Sequence, residues 1–188
     1  MKKRAGLGAA LLLAALGASG CWLQSRQLTV ALSLPTPLRL DASQTIEGAR
    51  IDLATQRGYN DHKGSIEGIA DCAILGQFSN PNAPDPSAGP VEVVVYMTPD
   101  YTDYTLAGEV TADPNKVLVW GPLALAVGQS RRVGWDESAA LVRPAGKAAL
   151  LREAKGDGRF SLYAVGSSGG YRFRVDQGAL VLVLDAAK

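Results

Sequence analysis

From residue 27 the chain alternates. Leu28, Val30, Leu32 and Leu34 take every second place against Gln27, Thr29, Ala31 and Ser33, the period of two that marks a strand with one buried face. Pro35 and Pro37 punctuate it, and residues 38–41 read as a short continuation or edge segment. Residues 49–53 form the next strand, and residues 69–78 a longer one with Cys72, Ile74 and Phe78 on one face. In residues 91–98, Val91, Val93, Val95 and Met97 alternate with Glu92, Val94, Tyr96 and Thr98. Both faces are largely apolar there, which suits a strand at the centre of a sheet. Strands follow at 116–120 and 123–127, separated by Gly121-Pro122, and then at 129–135, 159–165 and 171–176. An unbroken apolar run over 179–184 closes the series.

Helical signals are few. Residues 60–68 predict a turn or short helix weakened by Gly64 and Gly68. Residues 145–155 mix Ala148, Ala149, Leu150 and Leu151 with Lys147, Arg152 and Glu153, and Gly156 follows as a stop. One or two short helices among many strands, with frequent turn signals, predict a mainly β fold: an antiparallel, Greek-key-like β-sandwich. The Pro- and Asn-rich stretch 79–90 reads as a long loop, because strand patterning resumes directly after it.

The N-terminus is of a different kind. Lys2, Lys3 and Arg4 precede an uncharged apolar run over 5–16, then Gly17-Ala18-Ser19-Gly20 and Cys21. A basic start, a short apolar run and small residues before a cut form a secretory signal, and the run is too short to span a membrane. Gly20-Cys21 resembles the lipobox of bacterial lipoproteins, with Ala18 where that family most often has leucine. The resemblance implies cleavage after Gly20 and acylation of Cys21, several acyl chains giving a stable membrane anchor. Trp22 in place of an aspartate after the cysteine implies the outer membrane. The alternative is an ordinary secreted protein with Cys21 as a plain N-terminal residue. The expected organisation is a signal over 1–20, a lipidated N-terminus and tether over 21–27, and one β-sandwich domain over 28–188.

This division changes the charge. The whole chain carries +1, but the first 20 residues hold three bases and no acid, so the remainder has two more acids than bases. A near-neutral, unpatterned chain offers no footprint for nucleic acid and no polybasic patch for a lipid surface. With Cys21 acylated, Cys72 has no partner and reads as a buried structural thiol. Without acylation, a Cys21–Cys72 disulfide is open to an oxidising compartment.

Candidate chemistry is thin. Gly166-Ser167-Ser168-Gly169-Gly170 satisfies G-x-S-x-G with Ser168 as nucleophile, but that mechanism needs a following helix and a downstream histidine. A strand pattern follows instead, and the one histidine, His62, lies upstream between charged and turn-forming residues, where it reads as a solvated loop side chain. Asp100, Asp103, Glu109 and Asp113 could offer oxygen ligands to calcium, without the spacing of a calcium loop. Tyr59, Tyr96, Tyr101, Tyr104, Trp120 and Trp135 could stack on a glycan, yet a chain with 6% aromatics needs most of them in its core. Tyr101 and Tyr104, in a loop with Asp100 and Asp103, are the expected ligand contacts.

Ile51-Asp52-Leu53, then Asp61, Lys63, Ile66 and Ile69, then a strand ending at Ser79-Asn80, resemble a segment of bacterial secreted and lipid-anchored β-sandwich proteins of unassigned function. The resemblance covers residues 51–80 and implies a fold, not an activity. The expectation is a non-enzymatic, lipid-anchored envelope protein with a binding or structural role. Its partners would be the membrane and an envelope protein or glycan; no catalytic residue, metal ligand or cofactor beyond the covalent lipid is assigned. The alternatives are a calcium- or glycan-binding surface module and a serine hydrolase using Ser168.

Overall fold

A computed structural model describes residues 26–41, 44–81, 89–167 and 171–187. Cys21 and Ser168 lie outside the described residues. Among those described, nine strands form two sheets, and every pairing is antiparallel. Sheet A runs β1 (Arg26–Ser33), β9 (Arg172–Ala186), β4 (Ile66–Ser79), β7 (Ser130–Val133), with β2 (Leu38–Asp41) also paired to β9. Sheet B runs β3 (Ile46–Asp52), β8 (Arg159–Gly166), β5 (Val91–Thr98), β6 (Val117–Leu125). The two sheets pack face to face as a β-sandwich.

Alternation explains the inner faces. In β1, Val30 and Leu32 are buried while Thr29, Ala31 and Ser33 are exposed. In β5, flanked on both sides as expected of a central strand, Val91, Val93, Val95 and Met97 point into the core. Phe78 stacks on Trp120 with ring centroids 5.8 Å apart, and Phe173 lies 6.0 Å from Phe78. Tyr59 is fully buried and donates its hydroxyl to Ala154 O at 2.9 Å.

Several boundaries differ from the sequence expectation. Residues 116–120 and 123–127 belong to one strand, β6, with Gly121-Pro122 inside it. Gly121 has φ +98°, and a Cβ there would lie 2.8 Å from Val93 O, so glycine is what lets β6 cross this irregularity. Proline is tolerated because β6 ends the sheet and its outer edge needs no ladder donor at Pro122. The two expected strands at 171–176 and 179–184 are likewise one, β9, bent at Gln177 with φ 60°. β1 starts at Arg26, so the end of the expected tether is strand.

Helices exceed the one or two expected. They are α1 (Arg57–His62), α2 (Ala107–Ala112), α3 (Trp135–Leu141) and α4 (Pro144–Lys155). α4 begins one residue before the expected 145, with proline in its first turn, where a missing N–H costs nothing. Gly156 ends it by donating to the Arg152 and Glu153 carbonyls. His62 ends α1 half-buried, rather than sitting in a solvated loop, and its carbonyl accepts a bond from Ser65 Oγ.

The helices α3 and α4 cover the flank of β4, which pairs with β7 only over Gly76–Ser79. Beyond that point Ser138 on α3 stands in for a strand. Its Oγ accepts Ile74 N–H at 2.7 Å, donates to Ile74 O at 2.8 Å and accepts Trp120 Nε1–H at 3.0 Å. One proton and both lone pairs are thereby used. Lys147 on α4 donates to Ala70 O at 2.6 Å, and Trp135 Nε1 donates to Asp71 Oδ2 at 3.0 Å. Cys72, between these contacts, is buried and free. Burial pushes its thiol up to about 11; the nearby Lys147 ammonium opposes that and Asp71 reinforces it.

Candidate functional site

The outer face of sheet B is covered by the connection from β5 to β6. Residues 99–106 and α2 fold back so that Tyr104 packs edge-on against Tyr163, centroids 5.3 Å apart. Ile46, Val110, Tyr163 and Val165 form a second, smaller buried cluster beneath them, with Tyr96 and Ala107 at its margin. Hydrogen bonds pin the connection down. Tyr163 donates its hydroxyl to Thr102 O. Tyr101 donates to Ile51 O at 2.6 Å, and Tyr104 to Asp113 Oδ2 at 2.7 Å. Glu109 Oε2 accepts the Thr105 and Leu106 N–H groups at 2.8 and 2.9 Å, and these bonds hold its carboxyl below the usual range. The bond to Asp113, ahead of burial, raises the Tyr104 phenol.

Asp100, Tyr101, Asp103 and Tyr104 therefore share one loop but not one job. Asp103 pairs with Arg50 of β3 at 2.5 Å, both side chains largely exposed. The Arg50 guanidinium also sits 5.7 Å from the Tyr101 ring centroid, within cation–π reach. Asp100 is exposed, and its backbone carbonyl accepts a bond from Thr98 Oγ1. Asp103, Glu109 and Asp113 are each engaged by a different partner, and among the described residues no three metal-type ligands converge. The wider aromatic set disperses: Tyr59 and Trp120 are core residues, and Trp135 serves the helix flank.

Where the covering loop stops short, a cleft of about 380 Å³ opens beside β3. Register explains its lining. Gly48 pairs with Tyr163 and Arg50 with Ser161, so these four alternate on the outer face. Asp103 and Tyr104 close it from the loop side and Pro35 from the β1–β2 connection. Gly48 makes room for the Tyr163 ring that packs against it; a Cβ there would come within 2.9 Å of Tyr163 Cε1. Ser161 lines the cleft, is buried, and its Oγ has no hydrogen-bond partner. Arg50, Ser161, Gly48 and Tyr163 were absent from the expected contacts. Their signal was only their outward place on strands whose other residues are core.

No protein-family model matches this chain, and no curated protein matches it in sequence. A functional reading therefore rests on sequence pattern and geometry.

An apolar cavity of about 40 Å³ lies between the sheets, walled by Phe78, Trp120 and Phe173, with Glu47 at its margin. Burial raises the Glu47 carboxyl, which accepts a bond from Gln44 Nε2 at 2.5 Å. The segment flanking Ser168 joins two strands, β8 and β9, rather than a strand and a helix. Gly166 and Arg172 bond to Thr45 and Asn80 at one end of the sandwich. His62 sits near Ser65, which bonds Ala187 at the other end of β9, a 15-residue strand roughly 45 Å long.

Proposed function

We propose that this chain is a lipid-anchored protein of the bacterial envelope, held at the outer membrane through Cys21, whose β-sandwich binds a ligand rather than catalysing a reaction. The observation that carries the location is the order Lys2-Lys3-Arg4, apolar run, small residues, Cys21. The binding role is supported by the cleft, whose ionic groups are paired with each other and whose tyrosine hydroxyls are committed to the scaffold. A site of fixed walls with a few polar groups suits recognition.

Thiol counting in cells that express the full chain tests the anchor. The native membrane-bound protein should resist iodoacetamide at neutral pH, because Cys72 is buried with its thiol raised to about 11. Unfolded, it should expose one titratable thiol, Cys21 being a thioether. The Cys21→Ser chain should leave the membrane fraction and take up no labelled palmitate. Two free thiols in the unfolded membrane-derived protein, or palmitate on the Cys21→Ser chain, would remove the lipoprotein reading.

A further inference from the structure

We propose that the cleft beside β3 takes a neutral sugar ring. Arg50 and Asp103 would engage its hydroxyls, Tyr104 and Tyr163 would wall it, and Ser161 Oγ would take one further bond. The inference rests on the binding role above and adds the ligand class and the residues.

Ser161 is the starting point. A buried hydroxyl without a partner is unfavourable and uncommon in a folded protein. It lies directly across the strand pair from Arg50, and both line the same cleft. A ligand that shifts the exposed Arg50 side chain reaches the serine beneath the cleft surface. That shift is easy, since an exposed ion pair contributes little to stability.

Charge selects the class. Arg50 and Asp103 cancel, so an anionic ligand would displace Asp103 from its partner, and a cationic one would displace Arg50. A neutral polyol satisfies both. Neighbouring hydroxyl oxygens accept guanidinium N–H groups, and a hydroxyl proton goes to the carboxylate. Each of these bonds involves an ionised group. The tyrosines supply the apolar side: Tyr104 and Tyr163 are locked edge-to-face, and their hydroxyls are tied to Asp113 and Thr102. The half-buried Tyr104 ring, backed by the buried Tyr163, presents fixed surface to the C–H face of a sugar at little ordering cost. Gly48 lets the Tyr163 ring lie flush along β3, and about 380 Å³ falls in the lower range of small-molecule sites.

The test is calorimetric titration of the detergent-solubilised full chain. The panel is methyl glucoside, N-acetylglucosamine, cellobiose and chitobiose, with glucuronate and glucosamine as charged comparators. At least one neutral sugar should bind saturably, about tenfold tighter than either charged one. Ser161→Ala and Asp103→Ala should each weaken it about fivefold or more, with no fall in melting temperature for Ser161→Ala. Absence of saturable binding to every neutral sugar, or undiminished binding by both variants, overturns the proposal. Preferential binding of glucuronate or glucosamine overturns the ligand class while leaving the binding role standing. Sugar binding by a chain that carries no acyl group at Cys21 upholds the site and overturns the envelope anchor instead.

Discussion

Ser138 and Ser161 are both shut off from solvent, one on the inner side of α3 at the flank of sheet A, the other on the outer face of sheet B. Ser138 spends its whole hydrogen-bonding capacity, on both backbone groups of Ile74 and on Trp120. Ser161 spends none of its hydroxyl's. Around Ser138 the helices finish an incomplete strand edge, and the Ile74 backbone, the Trp120 indole and the Ala70 carbonyl are all bonded to side chains of α3 or α4. Around Ser161 the covering loop is pinned by its own tyrosines and stops short, leaving a hydroxyl, an ion pair and two rings about an open cleft. The same residue type in the same solvent isolation is structural glue in one region and unspent capacity in the other.

The contrast can be broken most forcefully at Ser138. Ser138→Ala strands the buried N–H and carbonyl of Ile74, while the Trp120 indole keeps its bond to Ser138 O at 3.2 Å, and should cost about 2 to 3 kcal/mol in urea unfolding. A loss below about 1 kcal/mol would mean that water or a shifted helix takes over, and the contrast would collapse. Lys147→Met keeps the aliphatic stem but removes the donor to Ala70 O. The same urea titration should show a loss of about 1 kcal/mol. Ser161→Ala should do the opposite, leaving stability unchanged or raising it by up to about 1 kcal/mol, since it removes a buried group with no partner. A clear destabilisation would show that the hydroxyl is already in use.

The smallest effect is at Glu47, where capacity is constrained by burial. Its carboxyl is raised in the fold, so the folded chain holds the proton more tightly than the unfolded one. The stability tied to that proton is present below the ordinary carboxylate range and is lost as pH rises through the folded value. Glu47→Gln, which keeps an acceptor for Gln44, should be slightly more stable than the parent at neutral pH. The gain should vanish in thermal melts taken below the ordinary carboxylate range; a gain that persists there points to a cause other than ionisation.

What could be read from the sequence follows the range of the interactions. Leu28, Val30 and Leu32 report β1 because their period is local, and Gly156 marks the end of α4 for the same reason. Gly121-Pro122 and Gln177-Gly178 looked like breaks between strands. Both are irregularities carried through by neighbours: β5 holds β6 in line, and β4 with β1 and β2 holds β9. α2 escaped notice because six residues without a polar N-cap form a helix here only with Glu109 reaching back and Val110 buried on the sheet. Tyr104 and Asp103 were visible as a polar, aromatic loop. Arg50 and Ser161 were not, because only strand register places residues so far apart in the chain face to face.

The pairing of Arg26 with Ala186 also sets an order of events. β9 is the hub of sheet A, joined to β1, β2 and β4, so the sheet cannot assemble until synthesis has passed residue 186. Contacts this distant in sequence make folding slow. On the proposed export route that delay is useful. A chain on that route would stay threadable for as long as β9, its hub strand, has yet to emerge.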